Sequence, residues 1–62
     1  MKKGDLYYTV FLNFQDEIVI TKQVIWDNSL GDKFRVVTGQ AFKSKEECQE
    51  YVDLLQHKID NI

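Results

Sequence analysis

The 62-residue chain has no proline, one cysteine, one histidine and three glycines. A lone cysteine, Cys48, excludes an intramolecular disulfide. Together with the one histidine, His57, it falls short of the roughly four ligands of a structural zinc site. The usual staples of a very small domain are therefore missing, and self-association is the device that remains. Such cysteine usage fits a reducing, cytoplasmic setting. No apolar run approaches the ~20 residues of a membrane span. Lys2 and Lys3 lead into Gly4 and Asp5, not into the apolar stretch of a secretory signal. Basic charge is scarce too: eight Lys and Arg stand against ten Asp and Glu, for a net charge of −2. A dedicated nucleic-acid binder normally carries a basic excess, so nucleic acid is the less favoured partner.

Groupings that carry catalysis are also lacking. Cys48 and His57 are nine positions apart, which puts them on opposite faces of one helix and out of hydrogen-bond reach. Asp27 and Asp32 flank a loop with Asn28, Ser29 and Gly31. Their spacing, without a bidentate Glu, does not fit a calcium loop, and turn chemistry accounts for them. Gly31 alone cannot cradle a phosphate. The expectation is a protein that is not an enzyme, with no catalytic residue, cofactor, metal or small-molecule substrate.

What is present is a core composition, 44% hydrophobic, with two clear periodicities. In LYYTVFLNF (6–14) every even position is apolar: Leu6, Tyr8, Val10, Leu12 and Phe14. That alternation is a half-buried strand. QDE supplies a turn, EIVITKQVIW (17–26) reads as a second strand, DNSLGDK as a polar loop, and KFRVVT (33–38) as a third strand ended by Gly39. Ser44 followed by Glu47 then gives a capping box, and Cys48, Val52, Leu55, Ile59 and Ile62 repeat at helical spacing. The expected fold is α+β: one domain, residues 1–62, a three-stranded antiparallel meander followed by a C-terminal helix packed on one sheet face (βββα). Opening at Met1 without tag, linker or repeat, the chain reads as a complete small protein.

One helix covers one side of a sheet. On the other side the odd positions would place Tyr7, Phe11, Val19, Ile25 and Val37 together, beside Arg35, as an apolar patch of the kind that marks interaction sites. Register is the weak point, because Lys22 falls on the presumed core face. The helix itself turns Glu46, Glu50, Asp53 and Asp60 outward, either as a solvated face or as a dock for a basic partner. Trp26 either caps the core or anchors an interface.

The run AFKSKEEC (41–48) resembles the entry to the helix in the arm-binding N-terminal domains of phage-type tyrosine integrases, with Phe42, Ser44, Lys45 and Glu47 matching and Ala41 and Cys48 departing. The resemblance implies a three-stranded sheet followed by a helix, with the sheet as a DNA-binding face. Such faces are basic and polar, whereas this one offers Arg35 and Lys33 among apolar side chains. The leading expectation is a non-catalytic protein-binding module, a phage or mobile-element accessory protein that inhibits a host or defence protein in the manner of anti-CRISPR proteins. It would act in the bacterial cytoplasm, with a homodimer through the open sheet face as one form. A DNA-binding domain that uses the sheet is the alternative.

Overall fold

In a computed structural model covering Met1–Ile62, the elements run β1 (Leu6–Asn13), β2 (Ile18–Ile25), α1 (Leu30–Val37) and α2 (Lys45–Asp60). The fold is α+β, with two strands followed by two helices. β1 and β2 pair antiparallel from Leu6↔Ile25 to Asn13↔Ile18. The connecting loop is Phe14–Gln15–Asp16–Glu17, in which the Asn13 side chain accepts the Asp16 N–H at 3.3 Å and donates to the Asp16 carboxylate at 3.0 Å. Glu17 closes the loop at φ +58°.

α2 packs where the periodicity expects it. Ser44 is the N-cap and accepts the Glu47 N–H at 3.2 Å. Cys48 and Val52 are buried with Val19, and Tyr8, Val10, Phe42 and Leu55 pack around them. At the far end of the expected stripe Ile59 is half exposed over the hairpin end, and Ile62 is fully exposed beyond it. Loss of the cap in Ser44→Ala should lower stability by about 1 kcal/mol, read from the urea midpoint. Burial raises the pKa of the Cys48 thiol, partly offset by a hydrogen bond with Thr21. Cys48 should therefore react slowly with a thiol reagent in the folded protein, and fast stoichiometric labelling would contradict its placement.

Two expectations are corrected. The third strand is absent, because residues 30–37 form a helix. Ser29 and Asp32 make a full capping box at its start. At its end the Gly39 N–H reaches the Val36 carbonyl at 3.1 Å and the Gln40 N–H reaches that of Arg35 at 2.7 Å, with Gly39 at φ +74°. That is a Schellman closure. The β-branched pair Val36–Val37 is confined to the last turn, where its low helix propensity matters least. The edge of β1 is met instead by Phe42, which exchanges two 2.8 Å backbone hydrogen bonds with Tyr8 and stacks on Tyr51.

The second correction concerns register. A four-residue loop pairs even residues of β1 with odd residues of β2. The expected patch is thereby divided: Tyr7 and Phe11 lie on one face, Val19 and Ile25 on the other. Thr9 shares the Tyr7 face, is buried, and its hydroxyl has no hydrogen-bond partner. Thr9→Val removes that unpaired group at nearly constant volume. It should raise stability by about 1 kcal/mol in thermal or urea denaturation.

Candidate protein interface

α1 is held to the rest of the molecule by its polar side. Tyr7 (0% exposed) points its hydroxyl at Asp32 (1% exposed), and the two are hydrogen-bonded through Oδ1 of Asp32. The Arg35 Nη1 donates to the same tyrosine oxygen at 2.8 Å and lies 3.4 Å from Oδ1. Oδ2 of Asp32 accepts the Asp27 N–H at 2.8 Å and the Ser29 N–H at 3.4 Å, while Ser29 Oγ accepts the Asp32 N–H at 3.2 Å. One carboxylate thus closes the helix cap, fixes the loop after β2 and fastens β1. Trp26 packs edge-on against Tyr7, ring centroids 6.1 Å apart, so it belongs to this buried cluster.

The electrostatics follow from these contacts. The Tyr7 hydroxyl, then the Asp27 N–H, stabilise the ionised Asp32 and hold its carboxyl well below the ordinary range. Burial, then the bond to Asp32, pushes the Tyr7 phenol up, with Arg35 acting in the opposite direction. The cluster is a charge-assisted clamp, and its tyrosine hydroxyl is used as both donor and acceptor.

With Asp32 and Arg35 inward, helical geometry dictates what faces out. At about 100° per residue, Leu30, Phe34 and Val37 share an arc of roughly 60° on the opposite side. They are 83%, 62% and 85% exposed. An ordinary surface helix has the reverse arrangement, apolar stripe in and charges out. Leaving this ridge in water forgoes roughly 1.5–3 kcal/mol of burial per large side chain.

The remaining expected site residues are distributed as follows. Tyr7 and Val19 are buried and present no surface. Phe11 is partly exposed beneath the Lys22 ammonium, 4.5 Å from its ring centroid. Ile25 is exposed beside its pair partner Leu6. Arg35 is engaged by Tyr7 and Asp32, and Val37 stands on α1 rather than on the sheet. Glu46, Glu50, Asp53 and Asp60 are all exposed along α2, with Asp53 accepting from Gln49 at 2.9 Å and Asp60 from Gln56 at 3.0 Å. Leu30 and Phe34 were outside the expected set, although their spacing to Val37 is i, i+4, i+7. His57 is exposed on α2 while Cys48 is buried under it. A second apolar feature is an open cleft of about 280 Å³ at the hairpin end, between Leu12, Phe14, Ile18 and Ile59.

The molecule is open for its mass. Its accessible surface is 4890 Å², against roughly 4,200 Å² for a monomer of this size. Its radius of gyration is 12.2 Å, against roughly 10.6 Å. The excess reflects an elongated body, 38 × 21 × 18 Å along its principal axes. No protein-family model, curated protein or solved structure matches this chain.

Proposed function

We propose that the protein is a non-catalytic protein-binding module that docks through the outward face of α1. The observation that carries this is the inverted helix: a charged, buried side fastened to Tyr7 and an apolar ridge of Leu30, Phe34 and Val37 in solvent. A fold that places three large side chains outward in one line, on a helix closed at both ends, resembles the anchor pattern of helix-in-groove recognition. Within it, the protein acts as an accessory factor of phage or mobile-element type that covers a functional surface of a host or defence protein. Steric occupation needs no catalytic group.

The test is position-specific. A photo-crosslinking residue at position 34 should trap a protein partner in cells of its source, and the same residue at position 15, on the hairpin loop, should not. Equal trapping from both positions overturns the assignment to α1.

A further inference from the structure

The outer edge of β2 is a second surface, and it shares no residue with the α1 ridge. Tyr8 bonds Phe42 outward, so the even residues of β1 point away from β2 and the odd residues of β2 point away from β1. Along β2 that outward set is Val19, Thr21, Gln23 and Ile25. The Val19 N–H is met by the Gln56 side chain at 2.9 Å. The backbone groups of Thr21, Gln23 and Ile25 face outward, and no chain segment pairs with them. Proteins normally blunt such an edge with proline, a bulge or projecting charge. β2 has neither proline nor bulge, and its one charge, Lys22, lies over the Phe11 ring. A two-stranded sheet is itself marginal, and a third strand would complete it.

A wall of defined charge stands beside the Val19–Thr21 end of this edge. α2 packs chiefly on β2. Two relays connect strand to helix. Thr21 donates to Gln49 at 3.1 Å, and Gln49 donates to Asp53 at 2.9 Å. Val19 donates to Gln56, and Gln56 donates to Asp60 at 3.0 Å. Each relay leaves one carboxylate oxygen free, and no cation of the chain pairs with either aspartate. Pairing β2 with its own copy across a two-fold axis would bring these aspartates toward the same pair on the second chain, which is repulsive. A cationic strand has no such penalty.

We infer that the β2 edge takes up an extended basic segment of another protein. The segment adds as a third strand, its amides pairing with Thr21, Gln23 and Ile25; at its end beside Thr21 a Lys or Arg meets Asp53, and another where the segment runs on past Val19 meets Asp60. Backbone pairing supplies affinity and the alternate side chains supply selectivity.

The experiment uses a short synthetic peptide with lysine at alternate positions and valine between. Its controls are the glutamate counterpart and a version N-methylated on the amides that would face the edge. Binding is followed by calorimetry, and amide hydrogen exchange is read residue by residue. The lysine peptide should bind and slow exchange at Thr21, Gln23 and Ile25. The N-methylated and glutamate peptides should not. Asp53→Asn with Asp60→Asn should weaken binding about tenfold and flatten its salt dependence, with the glutamine relays kept. Leu30 and Phe34 variants should bind the peptide normally, so failure here is separable from failure of the α1 assignment. No slowing at β2, equal binding of the glutamate peptide, or indifference to N-methylation overturns the proposal. So does slow exchange at these residues in a peptide-free dimer, which would make a second copy the occupant.

Discussion

Asp32→Ala should melt α1 at room temperature and leave a destabilised hairpin and α2. A domain of 62 residues has a total stability of roughly 3–9 kcal/mol. This one side chain accepts hydrogen bonds from Tyr7, Asp27 and Ser29 and pairs with Arg35. Its removal opens the α1 cap, strands the Tyr7 hydroxyl in the interior and leaves Arg35 without its counterion. Circular dichroism should show loss of the α1 helix signal and a lower melting midpoint for what remains, and a variant that melts like the wild type would refute the clamp. Tyr7→Phe should be milder, because the capping bonds survive. The pH dependence has a definite sign. Asp32 is more acidic folded than unfolded, so its contribution is complete above the unfolded carboxyl pKa near ~4 and is lost as pH falls below it. The melting midpoint should fall steeply below about pH 4, and Asp32→Asn should lose most of that slope.

Leu30→Asp combined with Phe34→Asp should cost about a hundredfold or more in partner affinity without lowering the melting midpoint. Two buried anchors at an interface centre commonly contribute ~2 kcal/mol or more each. The same residues contribute little to the isolated fold, since they are 83% and 62% exposed. An aspartate in the first turn also interacts favourably with the helix dipole. The expected result is a folded, more soluble protein that no longer binds. Titration of the crosslinked partner with both forms measures the first effect and a thermal melt the second. Retained binding would show that the ridge is not the interface, and a collapse in stability would place it in the core.

The hairpin and α2 were legible because each carries an unbroken period: the even positions of 6–13, and the Cys48–Val52–Leu55 line after the Ser44 cap. The face of β2 was not, for a reason one residue long. A three-residue turn pairs even with even, whereas the four-residue loop 14–17 pairs even with odd and moves every β2 side chain across the sheet. α1 was legible in principle. Ser29-x-x-Asp32, the Leu30–Phe34–Val37 spacing and Gly39 together spell a capped helix. Phe34, Val36, Val37 and Thr38 weigh toward a strand. Tertiary bonding decided the matter, since Asp32 and Arg35 find partners on Tyr7 only from a helix. That contact spans 25 positions between Tyr7 and Asp32, and no local pattern encodes it.

The polar fastening of α1 has a dynamic consequence. The strands and α2 share extensive contact, and α1 takes almost no part in it. Eight residues are too few for a helix to persist alone in water. Once the Tyr7–Asp32 contact opens, therefore, the whole segment should melt as one step while the hairpin and α2 stay closed. Its amides would exchange together at a lower free energy than those of β1, making α1 a separate foldon. A partner gripping the ridge would then suppress this opening and slow exchange in α1 well beyond the residues it touches.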